Sequence, residues 1–153
     1  MQLNIQHADA GLVVKAVELL AAVQGDYHYG RLPPDKERCG AVLSHLATDP
    51  RGLVLVAVVD DRVVGVFAAA AVDCWWSDCE MVTDLVFVTD REHRGAAGLL
   101  LLRRALAWAD GWDSVGVVML GVTSGGDDEI VAGQLYERLG FDRVGGIFMR
   151  YRA

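Results

Sequence analysis

The chain has 153 residues, 53% hydrophobic and 23% charged, the balance of one folded domain with an ordinary core, and this excludes a disordered or low-complexity chain. A formal net charge of −7 and a pI near 4.9 argue against nucleic acid or an anionic membrane as a partner and suit a small cation such as an amine. No apolar run of about 18 residues and no charged leader is present, and Cys39, Cys74 and Cys79 show no zinc-ligand spacing with the histidines, so free thiols, no metal and a cytoplasmic location are expected.

Leu3-Asn4-Ile5-Gln6 alternates as a short strand, and Asp9 then caps a helix with an apolar face from Leu12 to Val23 that Gly25 ends. The loop that follows holds Tyr27, His28, Tyr29 and Arg31. Rings and charge in a loop either line a pocket or pack as a lid over the core. Pro34 and Asp35 open a second helix to about Thr48, with Val42, Leu43 and Leu46 inward. Leu53 to Val59 reads as a strand buried on both faces, and Asp60-Asp61-Arg62 turns it into a strand from Val63 to Val72. Gly65 and the alanines at 68–71 keep that strand thin, so a helix or a substrate is expected close above it. Cys74 and Cys79 flank the next turn, where Trp75 and Trp76 cannot both point inward; one lies over a pocket rim or packs on a neighbour.

Glu80 to Val88 is the next strand, with Glu80, Val82 and Asp84 on one face. Acids on a central strand are costly unless used or paired, so Asp84, and after it Glu80, are candidate proton acceptors for an incoming ammonium; otherwise both are solvated near the strand's start. The turn from Thr89 to Gly98 leads into a helix from Leu99 to Trp108. Its small residues and unpaired helix-opening amides suit a phosphate, although the three-glycine dinucleotide pattern and the Gly-Lys-Ser/Thr loop are both absent. Leu99 to Leu102 ring this helix, so at least one meets another element or a second copy of the chain, or stays exposed; a homodimer is the association this favours. Arg103 and Arg104 mark its solvent side. Val115 to Val122 is a further strand, expected to be parallel to the one before the helix through a right-handed crossover. An acidic loop from Thr123 to Glu129 and a helix bearing Ala132, Leu135, Tyr136 and Leu139 follow. A hairpin of Phe141–Val144 and Ile147–Tyr151 around Gly145-Gly146 closes the chain.

Arg94-Gly95-Ala96-Ala97-Gly98 at the first helix opening and Leu135-Tyr136-Glu137-Arg138-Leu139-Gly140-Phe141 at the end of the last helix together resemble the GNAT N-acetyltransferase superfamily. Its turn pattern is Arg/Gln-x-x-Gly-x-Gly/Ala, and its later helix ends in Leu-Gly-Phe. Ala replaces the middle Gly and no Pro precedes the turn, so Arg94 heads the motif with one residue deleted, or His93 heads it without a gap. Glu129 stands where Asn is often found. The resemblance implies an α/β fold of one domain over residues 1–153, a mixed twisted sheet with helices on both faces, and two strands that splay apart to admit pantetheine. It implies acetyl-CoA as cosubstrate, held by Phe87, Val88, Thr89, Arg94, Gly95, Ala96, Ala97, Gly98 and Leu99. Arg103 and Arg104 could reach its 3′-phosphate, and bulk at Gly95 or Ala97 is expected to block the cradle without unfolding the chain. Tyr136 is the acid toward the departing thiolate, and Tyr27, His28, Tyr29, Arg31, Trp75 and Trp76 are acceptor-side candidates. The reaction implied is direct acetyl transfer to a primary amine of a small molecule, peptide or protein; the alternative is an acyl-CoA-binding or protein-interaction module on the same fold.

Overall fold

The computed structural model describes residues 2–26, 28–122 and 127–152, with backbone alone for Asp26, His28, Tyr29 and 127–129. Five strands, β1 (Leu3–His7), β2 (Gly52–Val59), β3 (Arg62–Asp73), β4 (Glu80–Thr89) and β5 (Val115–Met119), form one sheet in chain order. Every neighbouring pair is antiparallel except β4 and β5. The parallel pair is joined through α3 (Arg94–Asp110), the strand-helix-strand crossover that the sequence calls for.

Period-two alternation in β2 divides the core between two layers. Leu53, Leu55 and Ala57 point toward α3, with Leu101, Leu102 and Ala105. Val54, Val56 and Val58 point the other way, toward α1 (Ala10–Val23) and α2 (Lys36–Thr48). Helices thus lie on both faces of a mixed sheet. Asp9 and Asp35 cap α1 and α2 by accepting from Leu12 N and Arg38 N, each at 2.9 Å, which pairs amides a helix start leaves open. The β2–β3 turn is made by Asp60 and Asp61, both at positive φ (48° and 62°), the twist a two-residue hairpin needs.

The thin stretch of β3 is explained at Gly65. A Cβ there would stand 2.9 Å from Leu101 Cδ1 and 3.1 Å from Thr89 Cγ2, so the element packed close above it is α3. Of the leucine ring, Leu101 and Leu102 are fully buried, Leu99 is half-buried and Leu100 stays outside.

The sequence misplaces the end of the chain. The expected hairpin of Phe141–Val144 and Ile147–Tyr151 is not formed: no strand is found from 141 to 152. Neither Gly145 nor Gly146 adopts a positive φ, so the backbone lacks the turn that would align two strands. Phe148 and Val144 are consequently exposed. β5 also ends at Met119, earlier than the expected Val122.

Candidate active site

α4 (Asp127–Arg138) positions Tyr136 through the way it ends. Gly140 takes φ +91°, Gly140 N donates to Glu137 O and Phe141 N donates to Tyr136 O, both at 3.1 Å. That is a Schellman closure, which requires a left-handed residue after the helix and brings the next apolar residue back onto it. Phe141 accordingly packs on Tyr136 with ring centroids 5.5 Å apart, and Phe87 of β4 meets the same ring edge-on at 6.3 Å. The Leu-Gly-Phe end of the helix therefore fixes the tyrosine.

A bulge in β4 opens the site. Ala68 pairs with Val86 and Ala69 with Asp84, leaving Leu85 as an extra residue that re-aims the strand. Pairing of β4 with β5 runs from Glu80 to Thr83, where Thr83 meets Met119, and goes no further. Leu120 and Gly121 then leave the sheet, and a cleft of about 540 Å³ opens between Leu85, Phe87, Gly121, Tyr136 and Phe141. On the opposite face the α1 and α2 layer packs on Val86 but leaves β4 open around the bulge, so a groove of about 690 Å³ lies between α2 and the bulge. Thr83, Asp84 and Leu85 line both.

One residue, Gly121, joins the two candidate catalytic side chains through its two flanking peptide groups. Asp84 Oδ1 accepts from Gly121 N at 3.0 Å, and Tyr136 OH donates to Gly121 O at 3.2 Å. Burial raises the Asp84 carboxyl above its usual pKa, and the Gly121 N–H partly offsets this. Burial, and then the nearby Asp84 charge, push the Tyr136 phenol above its usual range. Tyr136 therefore remains a neutral O–H donor at working pH, beside a carboxyl whose charged form burial disfavours.

This has a consequence for stability. A carboxyl whose pKa is raised on folding contributes stability that is fully present below its unfolded pKa and is lost as pH rises through its folded pKa. Asp84→Asn keeps an oxygen to accept from Gly121 N and removes the charge. Its melting temperature relative to wild type is expected to rise between pH 4 and pH 8, reaching or exceeding wild type at pH 8. A difference that is flat across that range in paired thermal melts would show that Asp84 is not held in a charge-disfavouring site.

The opening of α3 can take an anion. Its N-cap, His93, makes no side-chain cap bond, and no acid stands in the first turn. Asp90 is turned instead to His93, accepting from its N at 2.9 Å and meeting its Nδ1 at 2.6 Å. Gly95 and Ala96 face solvent, and Arg94 opens the helix half-buried. Ala97 differs from its neighbours: it is fully buried in the core beside Leu101, so the expectation that bulk there leaves the fold intact is corrected. Gly98 is buried above Phe87, where a Cβ would make ordinary contact at 3.7 Å. Val88 is buried on the side of α1 and α2 by its pairing with Val66, Thr89 and Leu99 are half-buried, and Arg103 and Arg104 are exposed.

Other candidates lie apart from both clefts. Glu80 pairs with Arg51 at 2.8 Å and accepts from Ser114 Oγ at 2.7 Å at the start of β4, which gives this acid a partner. Trp75 and Trp76 stack edge to face at 5.3 Å on the β3–β4 tip, 86% and 79% exposed. Arg31 places its guanidinium 5.0 Å from the Tyr151 ring. Tyr27 and Thr123–Gly126 lie outside the described residues, as do the side chains of His28, Tyr29 and Glu129. Sequence reasoning missed Gly121, the Leu85 bulge and the α2 wall of the groove; the only local signal is the loss of alternation in Leu85-Val86-Phe87. The three cysteines are free thiols. Among the described residues no His, Cys, Asp and Glu group could hold a metal, and no helix is long and apolar enough to cross a membrane.

A mixed sheet whose parallel strands part after Thr83, a helix start without a side-chain cap after the first of them and a tyrosine fixed beside the parting fit the architecture of an acyltransferase. Solved structures share the fold over nearly their whole length. An aminoglycoside acetyltransferase from an uncultured soil metagenomic sample is 17% identical, with 100% of each chain covered and a TM-score of 0.73. A transcriptional regulator from Bacillus halodurans C-125 is 20% identical, with 98% of this chain and 100% of that chain covered and a TM-score of 0.75. A GNAT-family acetyltransferase from Streptococcus pneumoniae is 20% identical, with 94% and 87% covered and a TM-score of 0.75. No curated protein matches the chain. Residues 17–141 match the Acetyltransferase (GNAT) family, and the chain belongs to it.

Proposed function

We propose that this chain is an N-acetyltransferase that moves the acetyl group of acetyl-CoA to a primary amine. The observation that carries this reading is the meeting of two clefts, one from each face of the sheet, at Thr83–Leu85. Such a junction lets two substrates approach one another without a covalent enzyme intermediate, so the protein contributes mainly by holding them in line.

The residues present fit acetyl-CoA. The outward amides of Gly95 and Ala96, with no acid in the turn, suit its pyrophosphate. Among the described residues β4 beyond Thr83 has no strand neighbour on the β5 side, which leaves backbone groups near Phe87 and Val88 for pantetheine. When bound, the cosubstrate supplies an acetyl group activated as a thioester. The net reaction takes that thioester and an ammonium to an amide, a thiol and one proton. Asp84, with its raised pKa, accepts a proton from the ammonium, directly or through water. Tyr136 keeps its proton until it is needed and offers it from the wall of the split. Free thiols at Cys39, Cys74 and Cys79 support a reducing compartment, the cytoplasm.

Calorimetric titration of acetyl-CoA into wild type and Arg94→Ala, paired with thiol release in the presence of amines, tests the reading. Binding in the micromolar range, weakened in the variant, together with amine-dependent thiol release is expected. Binding without release for any amine would leave a non-catalytic acyl-CoA-binding module.

A further inference from the structure

The groove between α2 and the bulge has a chemical character that narrows the acceptor. Ala41, Val42 and Leu46 of α2 face Ala70 of β3 and Leu85 of β4 across it. Val42 and Leu85 are 42% and 54% exposed, so apolar surface stands open to water in the wall of a cleft. The alanines leave width between these walls. No carboxylate lies among these five residues. Acid occurs at the inner end, where Asp84 stands at the junction with the second cleft, and at the outer rim, where Asp35 and Glu37 share the α2 start with Arg38. Asp35 is also occupied there, accepting from Arg38 N at 2.9 Å.

We infer that the acceptor is a primary amine carried on a single apolar body, with its one ammonium at Asp84 and its body along Val42, Leu46 and Leu85. This rests on the acetyl-transfer reading above and goes beyond it by naming the acceptor class. A polycation such as a polyamine or an aminoglycoside would also lay strongly hydrated ammonium groups along Ala41, Val42, Leu46, Ala70 and Leu85, which return no countercharge, with only Thr83 and His45 as polar side chains between the acidic ends, and ammonium groups held there lose hydration for little in return. A hydrocarbon body instead covers apolar surface that is now wet. The overall net charge of −7 draws a polycation more strongly than a monocation, so selection of the monoamine has to come from the groove itself. The distinction lies in the groove.

The test compares linear primary amines from ethylamine to octylamine with spermidine and kanamycin, at saturating acetyl-CoA and with thiol release as readout. For the alkylamines kcat/KM is expected to rise by roughly three- to fourfold per methylene until the groove is filled, and octylamine should exceed both polycations. Val42→Asp should lower the octylamine to spermidine ratio of kcat/KM by at least about tenfold, and Leu85→Ser repeats this from the opposite wall should the first variant fold poorly. Faster acetylation of spermidine or kanamycin, or a flat alkylamine series, would overturn the inference and leave acetyl transfer standing. Acetyl-CoA binding with no acetylation of any amine would overturn the transfer reading, and this inference with it.

Discussion

Tyr136→Phe is expected to slow acetyl transfer by about 10²–10⁴-fold, the usual contribution of a positioned proton donor, with acetyl-CoA affinity nearly unchanged. The substitution removes one oxygen and keeps the ring that packs between Phe87 and Phe141. It also removes the donor to Gly121 O, a loss of about 1 kcal/mol of stability. Turnover measured by thiol release, acetyl-CoA affinity by calorimetry and a thermal melt separate these effects. A large drop in turnover beside a melt lowered by only about 2–4 °C assigns Tyr136 to proton transfer. An unaltered rate would remove that assignment and leave the tyrosine as the group that holds the Gly121 peptide.

Gly95→Leu should weaken acetyl-CoA binding by about 100-fold, equivalent to ~2.7 kcal/mol, in a protein that is as stable as wild type or more so. Nothing stands within 4 Å of a Cβ at Gly95, and the residue faces solvent, so the leucine has its Cβ in open space. It also replaces the poorest non-proline helix former, which costs about 0.8–1.0 kcal/mol relative to alanine. The side chain projects into the space through which a phosphate would reach the amides of the first turn. Ala97 cannot serve the same test: a larger residue there enters the close-packed layer of Leu101 and Ala105, at about 1–3 kcal/mol, and lost binding would then report lost folding. Calorimetry and a melt on the Gly95 variant decide the matter. Unchanged affinity would show that the α3 opening is not the phosphate cradle.

The difference between Gly95 and Ala97 shows what the sequence can and cannot carry. Both are small residues in one motif, and composition treats them alike. Their position around the helix separates them, since about 100° per residue turns one to solvent and the other to the core. The same holds for the acids of β4. Glu80 and Asp84 share a face by strand period, but Arg51 and Ser114 lie at one end of β4 and Gly121 and Tyr136 at the other. Both partners of Glu80 come from elsewhere in the chain, so the strand's own pattern gives no sign of them.

What the sequence by itself determined were the elements whose signals are local: the apolar runs of β2 and β3, the Asp caps of α1 and α2, the small-residue opening of α3, and the Gly140 stop that seats Phe141 on Tyr136. Each depends on neighbours a few residues away, where side-chain type constrains the backbone directly. Only the tertiary structure decided the Leu85 bulge, the parting of β4 from β5 after Thr83, the α2 wall of the groove and the meeting of Asp84 and Tyr136 at the backbone of Gly121. These depend on which residues of distant segments meet, and a leucine in an apolar strand reads the same whether it is paired or left over; register, set by the whole sheet, makes the difference.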